Sequence, residues 1–475
     1  MSKRNWSALI ALSVSGILAG CAVGPDYREP EMALPKAFVG SATGGVTEAE
    51  SEKLTQFWTV FGDATLDDLM KEALMSNHDL RIALSRLDEA RALRGAARLD
   101  LGPTITASGG YTEQRLSSIQ AFGGPVRDIK GYDAGLDAFW ELDFFGRARR
   151  ALQASNADLD ATQAALADAQ VVVTAELSRS YFELRGEQQR LEVARRNVDN
   201  QKESLTLTQA LLEGGRGTEL DTSRANAQLA ATRASIAPLE ASVARAIHRI
   251  SVLTGREPNA LLDRLALPAD LPVVPELTAV GEPVELLRRR PDIRVSERAL
   301  AASTARIGVA VADLFPRVTF TGGLGVAGAQ FDDLGRSGND THLIAPGISW
   351  AAFDLGRVRA RINAARARND GALASYEQTV LRALQETEDA LVTHSRSRER
   401  LIQLGEAASS SRTAARLARL RYENGAVDFL QVLDAERSQL EAEDGLARGR
   451  AETATSLVAV YKALGGGWTA PQQRG

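Results

Sequence analysis

Side chains able to carry out catalysis or hold a metal are few in this chain. Among 475 residues there is one cysteine, Cys21, and the four histidines lie far apart, at positions 78, 248, 342 and 394. A zinc cage or a Cys/His nucleophile pair needs several such residues brought together, and no such grouping is visible. The stretch Gly323–Gly328 matches the glycine pattern of dinucleotide sites, but it lies within a predicted strand with no helix after it. We therefore predict no catalytic residue, no metal ligand and no enzymatic activity.

Composition and charge give no sign of a nucleic-acid partner. The formal net charge is −5, and the basic run Arg288–Arg290 precedes Asp292 in a helix-breaking context, typical of a solvated surface. Hydrophobic residues make up 44% and charged residues 25%, which excludes a chain that is mainly disordered.

Cys21 lies in a recognisable chemical context. A positively charged start is followed by the apolar stretch Trp6–Leu18, which is too short to span a bilayer and is typical of a secretory signal. Residues 18–21 read Leu-Ala-Gly-Cys, a pattern that resembles the bacterial lipoprotein box. We predict that residues 1–20 are a lipoprotein signal peptide and that Cys21 carries a covalent lipid, the only cofactor expected. Ala22 after the cysteine favours the outer membrane. An ordinary secretory signal with a chance cysteine is the alternative.

The rest of the sequence repeats itself. Residues that recur 213 positions later are Glu72, Leu74, Asp79, Arg81, Gly95, Asp100, Leu101, Pro103, Thr106, Gly109 and Gly110. Residues that recur 210 positions later are Trp140, Gly146, Arg147, Arg149 and Gly215. A proline-rich connector separates the two copies, so we predict an internal duplication. The predicted segments are a lipidated, extended lead-in (21–65), a first repeat (66–255), a connector (256–283), a second repeat (284–465) and a tail (466–475).

Each repeat predicts a helix, two strands, a long helix, a turn and a return helix. The first helix is expected near 66–100, and the strands are expected over 104–113, 132–142, 316–326 and 343–353. The long helices are predicted over Arg147–Glu213 and Arg357–Glu423. Leucines and valines at seven-residue steps, beginning at Leu152, predict coiled-coil packing of the first long helix. Pro238 should kink or break the return helix that follows.

Four strands per chain raise the question of what closes the sheet. Each predicted strand is roughly 9–11 residues long, enough to cross a bilayer when tilted. Four strands cannot close a barrel, and lipid does not tolerate an open sheet edge, so several chains would have to share one barrel. An ordinary sandwich edge stays open as an alternative explanation of the alternation.

Taken together, these residues resemble the TolC/OprM outer-membrane factors, and in particular the NodT-type efflux lipoproteins. The resemblance rests on Cys-Ala-Val-Gly-Pro-Asp-Tyr at 21–27, Pro-Asp-Ile-Arg at 291–294, and Gly425 followed by Leu-Asp-Ala at 433–435. It implies an α+β membrane protein: a homotrimer with a 12-stranded β-barrel continuous with a 12-helix α-barrel, and the connector at its equator. It also implies an exit duct in the outer membrane of a Gram-negative bacterium, lipid-anchored and with a long periplasmic extension. The implied partners are a periplasmic adaptor protein, an inner-membrane RND transporter and outer-membrane lipid.

The resemblance also assigns a gate to the turns after the long helices. Its constriction maps onto Leu430 and Asp434, which are four residues apart and so share a helix face. Positions that support the closed gate in relatives map onto Asp221, Arg421, Tyr422 and Arg437. This chain has Gln431 and Val427 where some relatives carry a second acid and an arginine, so one acidic ring is expected.

Several alternatives remain at this point. Thr218-x-x-Asp221 has the form of a capping box, which would make Asp221 a helix cap. The exit duct of a type I protein secretion system has the same architecture as an efflux duct. A coiled-coil periplasmic adaptor lipoprotein is a third hypothesis, although a full duplication with two pairs of membrane-length strands argues against it.

Overall fold

A computed structural model describes residues 22–35, 37–38, 54–120, 125–275, 283–284 and 289–468. The predicted signal peptide and the lipid attachment residue Cys21 lie outside the described residues, as does most of the predicted tail. In the described part of the chain, no helix is both long and apolar enough to cross a membrane.

The order of elements is helix, two strands, long helix, turn and return helix, and it occurs twice. The helices of the first half are α1 (Ala64–Ser76), α2 (His78–Leu99), α3 (Arg147–Glu213), α4 (Glu219–Ala234), α5 (Ile236–Leu253) and α6 (Leu262–Leu265). Those of the second half are α7 (Pro291–Ala312), α8 (Leu355–Glu423) and α9 (Phe429–Ala463). The strands are β1 (Thr104–Arg115), β2 (Asp128–Leu142), β3 (Arg317–Gly328) and β4 (Asp340–Ser349).

The strands form one antiparallel sheet in the order β1-β2-β3-β4. Thr106 pairs with Asp137, Asp137 with Gly323, and Gly323 with Leu343, so the register is continuous across all four strands. Each strand has 10–15 residues, which meets the length needed to cross a bilayer at the usual tilt. The outer edges of β1 and β4 are not paired with another strand of the described chain.

The two faces of the sheet differ in chemistry. Opposed residues of antiparallel strands share a face, so the register assigns each side chain to one side. One face carries large apolar groups, among them Ile105, Tyr111, Leu136, Trp140, Phe320, Leu324, Ile344 and Ile348. The other is mostly small and polar, and includes Thr104, Thr106, Ser108, Asp133, Asp137, Thr319, Thr321 and Thr341, with Ile129, Phe139 and Leu343 as apolar exceptions.

The described residues divide into two compact units. The first comprises the chain up to Glu31, Arg86–Gln163 and Val295–Glu377, and contains the sheet. Equivalent hydrogen bonds join each strand pair to the helix before it: the Trp140 indole donates to the Leu101 carbonyl and the Trp350 indole to the Leu314 carbonyl, both at 2.9 Å.

The second unit comprises Met32–Ser85, Ala164–Arg294 and the chain from Gln378 onward, as far as these ranges are described. Its core joins α1, α3, α5 and the end of α9 through buried apolar side chains, with aromatic residues from α3, α9 and the 3-10 helix before α1. Phe57 stacks on Tyr461 at 5.2 Å, Phe61 packs on Phe182 at 4.6 Å, and the Tyr181 hydroxyl donates to Asp63 at 2.6 Å.

The structure differs from the predictions in three places. The first helix is two helices, because Asn77 caps α2 through the backbone N–H groups of Asp79 and Leu80. The lead-in is not extended throughout, since Phe57–Phe61 forms a buried 3-10 helix. Apart from Arg150, the buried side chains in the first part of α3 are alanines, among them Ala154, Ala157, Ala164 and Ala167, whereas Leu152, Leu159 and Leu166 are half-buried.

Other element predictions are confirmed by the structure. The long helix Arg147–Glu213 has the predicted bounds, and the return helix breaks at Ser235, three residues before Pro238. All four strands appear close to their predicted positions. The break between α4 and α5 places Pro238 in the first turn of α5, where the missing backbone N–H of proline costs no helical hydrogen bond.

Candidate functional site

The two turns after the long helices have the same backbone geometry. Gly215 and Gly425 both have φ of 70°, the left-handed conformation that favours glycine. Arg216 N–H donates to the Leu211 carbonyl and Ala426 N–H to the Arg421 carbonyl, each at 2.8 Å. These bonds, together with those from Gly215 and Gly425 to Leu212 and Tyr422, form a Schellman motif at each helix end. Both long helices therefore end in a defined reversal.

The return helices also begin alike. Thr218 caps α4 by accepting from the Asp221 N–H at 3.3 Å, and Asp428 caps α9 by accepting from the Gln431 N–H at 3.2 Å. The Asp221 carboxylate accepts a hydrogen bond from the Thr218 hydroxyl at 2.7 Å. Asp221 therefore takes part in local capping, the alternative that its position in the sequence left open.

The predicted constriction residues are exposed on α9. Leu430 is 50% exposed although it is a large apolar residue, and Asp434 is exposed one turn further along. Asp434 forms no hydrogen bond or ion pair within the part of the chain that the structure describes. Arg421 and Arg437 are exposed as well. The structure thus places an apolar and an acidic side chain, both accessible, one turn apart beside the turn 423–428.

Tyr422 differs from the other predicted support residues because it is buried. Its ring lies 5.4 Å from that of Phe429, in a cluster with Ala225 and Val432. Burial, together with the negative charge of Asp221, raises the pKa of the Tyr422 hydroxyl. This cluster joins α4, α8 and α9, so it fixes the two return helices relative to each other.

Beyond this cluster, α9 buries polar and charged side chains. Its first five buried positions are Phe429, Val432, Glu436, Gln439 and Glu443, spaced three and four residues apart. That spacing is the a/d pattern of a coiled coil, with polar residues at three of the five positions. Helices α3 and α8 supply the hydrogen-bond donors that bind the two buried glutamates, Glu436 and Glu443.

Glu436 and Glu443 each bind both neighbouring helices. Glu436 accepts from Ser204 of α3 at 2.5 Å and from Arg419 of α8 at 2.9 Å. Glu443 accepts from Arg196 of α3 at 3.0 Å and from Arg412 of α8 at 2.9 Å. Each glutamate therefore ties α9 to α3 and to α8 at once.

The ionisation of Glu443 follows from these contacts. Burial alone would raise its pKa, but hydrogen bonds from Arg196, Gln439 and Arg412 outweigh burial and lower the pKa. The carboxylate is therefore charged at neutral pH. The sequence predictions did not include Glu436 or Glu443. Their signal is the seven-residue spacing of two acids within the heptad pattern of α9, where an apolar seam would be expected.

Within the described residues, no group of three or more His, Cys, Asp or Glu side chains is arranged to hold a metal ion. The predicted lipid site, Cys21, lies outside the described residues, but the segment that follows it is described from Ala22 onward.

Comparison with known proteins gives consistent results. The sequence profile of a family described as "Outer membrane efflux protein" matches residues 69–256 and 283–466. The solvent efflux pump outer membrane protein SrpC of Pseudomonas putida is 31% identical over 466 residues, covering 96% of this chain and 97% of that protein. Nodulation protein T of Rhizobium leguminosarum bv. trifolii is 31% identical over 457 residues, covering 95% and 96%. Among solved structures, the outer-membrane channel OprN superposes with a TM-score of 0.85 at 45% identity, covering 94% of this chain and all of that one.

Proposed function

The chain belongs to the outer membrane efflux protein family, and we propose that three copies of it assemble into the exit duct of a tripartite RND-type efflux pump. The family places the protein in the outer membrane of a Gram-negative bacterium and gives it the role of an efflux channel protein. The number of chains, the gate, the lipid anchor and the partners are the parts proposed here.

The sheet is the observation that carries the proposal. It has an apolar face, a mostly polar face and two outer edges, β1 and β4, not paired within the described chain. Unpaired backbone groups are not tolerated in lipid, so an apolar sheet in a membrane must close. Pairing β4 of one copy with β1 of the next would close the edges, and three copies supply a 12-stranded barrel.

The same threefold arrangement would bring the helices together. Each chain contributes two long helices and two return helices, the first return helix being α4 with α5, so three chains supply a 12-helix α-barrel. The repeated element order, the matching turns at Gly215 and Gly425 and the paired tryptophan contacts support an internal duplication behind this arrangement.

We assign the periplasmic constriction to Leu430 and Asp434. Their exposure beside the turn 423–428 supports this assignment, since a tunnel-lining residue has no partner within its own chain. Three Asp434 carboxylates would form an electronegative ring that favours cations. Arg421, Tyr422 and Arg437 would support the closed gate, and Asp221 would contribute through the cap of α4.

The remaining proposals concern attachment and partners. Cys21 would be acylated and anchor the chain in the outer membrane, and a periplasmic adaptor and an inner-membrane RND transporter would deliver substrates to the turns. Solvents and other small toxic compounds are the proposed substrates, because a solvent efflux component is among the relatives.

The test combines assembly with transport. The full-length protein, extracted from outer membranes, should run without heating as an oligomer of three chains, and heating should convert it to a single-chain band. In planar bilayers it should form cation-preferring channels. Deletion of its gene should sensitise cells to solvents or antibiotics. An extractable periplasmic monomer would overturn the proposal.

A further inference from the structure

Arg150 occupies an unusual position for a cation. It lies in the first turn of α3, where the positive end of the helix dipole disfavours cations, and its side chain is only 5% exposed. A buried arginine at this point needs compensation from acceptors outside the helix.

Those acceptors come from the segment that follows Cys21. Arg150 donates to the carbonyl oxygens of Val23 at 3.0 Å, Gly24 at 3.2 Å and Ala22 at 3.3 Å. It also pairs with the carboxylate of Asp26 at 2.9 Å. One guanidinium thus binds three consecutive backbone carbonyls, a use of its planar array of donors that lysine cannot match.

Glycines let residues 22–24 lie close to α7 and to the start of α3. Gly24 has φ of 93°, and a Cβ added there would lie 2.5 Å from the Cα of Gly308 in α7. A Cβ on Gly146 would lie 2.6 Å from the Cα of Ala22. The Val23 N–H donates to the carbonyl of Phe145, three residues after β2 ends, at 3.1 Å. We call Gly24, Gly146 and Gly308 the glycine seat.

The positions equivalent to Arg150, Gly146 and Gly308 lack this arrangement. The position equivalent to Arg150 is Ala360, and a Cβ added at Gly95 or Gly356, the equivalents of Gly308 and Gly146, would have no neighbour within 4 Å in the described chain. The arginine and the close glycine contacts occur where the N-terminal segment lies, between α3 of the first repeat and α7 of the second, and not at the equivalent positions. We therefore attribute Arg150 to its contact with the N-terminal segment, since the repeat folds with alanine at the equivalent position.

A second contact holds the segment slightly further on. The Tyr27 hydroxyl donates to Glu297 of α7, and the Arg298 guanidinium lies over the Tyr27 ring at 5.6 Å. Residues 22–27 are thus held at both ends, by Arg150 with the glycine seat and by Glu297 with Arg298.

We propose that Arg150 and the glycine seat form a clamp that fixes the segment after Cys21 at the end of β2, so that the lipid on Cys21 enters the membrane beside the sheet. This inference rests on the proposed acylation of Cys21. The end of β2 suits a membrane interface, because Trp140 and Trp350 are both partly exposed there and tryptophan concentrates at that level. Arg150 acts as a positioning residue for the lipid.

The test measures hydrogen exchange and N-terminal mass on the full-length protein extracted from outer membranes. We expect Arg150→Ala to speed amide exchange within residues 22–27 by about tenfold, the effect of losing a hydrogen bond to a charged group. Arg359→Ala is the matched control, since Arg359 lies exposed near the start of the equivalent helix α8. Gly24→Ala, which leaves every helix and strand unaltered in sequence, should give the same local increase.

The outcomes separate the clamp from the anchor. Faster exchange confined to residues 22–27 in both variants, with an acylated N-terminal peptide, supports the proposal. Wild-type exchange in Arg150→Ala and Gly24→Ala overturns the clamp even where the mass shows acylation. An unmodified Cys21 overturns the lipid-positioning role, while channel recordings on the same preparation report separately on the proposed duct.

Discussion

The carboxylate of Glu436 accepts a hydrogen bond from the guanidinium of Arg419 at 2.9 Å, joining α9 to α8 just behind the turn 423–428. Arg419 also donates to the Asn200 carbonyl of α3 at 2.9 Å, so one residue ties three helices together. The side chain of Glu436 is 5% exposed and that of Arg419 is 25% exposed. A buried charge that loses its partner destabilises a protein far more than an exposed ion pair stabilises it.

Replacing Arg419 should therefore weaken the packing of α8 against α3 and α9 behind the turn 423–428. We expect Arg419→Ala to lower the stability of the helical region by about 3 kcal/mol, the low end for a buried pair, because part of the Arg419 side chain reaches solvent. Thermal unfolding followed by circular dichroism would measure the change. Arg416→Ala, an exposed arginine one turn earlier on α8, serves as the control. Equal unfolding temperatures for the two variants would contradict a stabilising role for the pair.

Glu443 should make the same region sensitive to acid. Its pKa is lowered in the folded chain, so as pH falls the unfolded state takes up this proton first. The stabilisation is present above about pH 4.5 and disappears as pH falls through the lower, folded value. We expect Glu443→Gln to be less stable at neutral pH and to show a shallower loss below pH 4.5. Melting curves from about pH 3.5 to 7, with exposed Glu441→Gln as control, check this. Parallel curves for wild type and Glu443→Gln would contradict it.

Asp434 should set ion preference. A unit charge 4 Å from a permeating ion contributes about 1 kcal/mol in bulk water. Because the same charge repels an anion by a similar amount, we expect Asp434→Asn to lower the cation-to-anion permeability ratio by at least about tenfold in reversal-potential measurements on single channels. Asp199→Asn is the control, because Asp199 already pairs with Lys202 on the surface of α3 at 2.7 Å. Unchanged selectivity in Asp434→Asn would remove this residue from the constriction.

Variants at Thr218 and Asp221 distinguish a capping role for Asp221 from a role in holding the gate closed. We expect Thr218→Ala to destabilise the first turn of α4 by about 1 kcal/mol, measured as faster hydrogen exchange there. Asp221→Asn should leave the closed-channel leak unchanged, because the side-chain oxygen of asparagine can still accept the hydrogen bond from the Thr218 hydroxyl that completes the cap. Arg437→Ala, exposed and unpaired in the described chain, should raise that leak as the positive comparison. A leak in Asp221→Asn as large as in Arg437→Ala would show that Asp221 holds the gate.

The parts predicted well from the sequence have strong local causes. Alternation and turn residues located β1 to β4, and the lack of proline from Arg147 to Glu213 predicted one unbroken helix with the observed bounds. The recurrence of Gly215 at Gly425 predicted equivalent turns, because each reversal needs a left-handed residue.

The parts missed depend on partners distant in sequence. The break at Asn77 follows from a cap, and its amide also donates to the Leu253 carbonyl, which no local pattern shows. In the sequence, Glu436 and Glu443 only interrupt the apolar heptad pattern of α9. Their role depends on hydrogen bonds from Arg419 and Arg412, which the structure reveals. Arg150 has no local signal apart from its contrast with Ala360, and its partners precede it by more than a hundred residues.

The edges of β1 and β4, which are not paired within the described chain, have a genetic consequence in the proposed trimer. If each barrel draws its subunits at random from one pool, a cell making equal amounts of normal and edge-defective chains would build only about one fully normal trimer in eight. Such alleles would behave as dominant, because a single faulty strand edge spoils closure for its two neighbours. Null alleles would be recessive, since the remaining chains could still find one another.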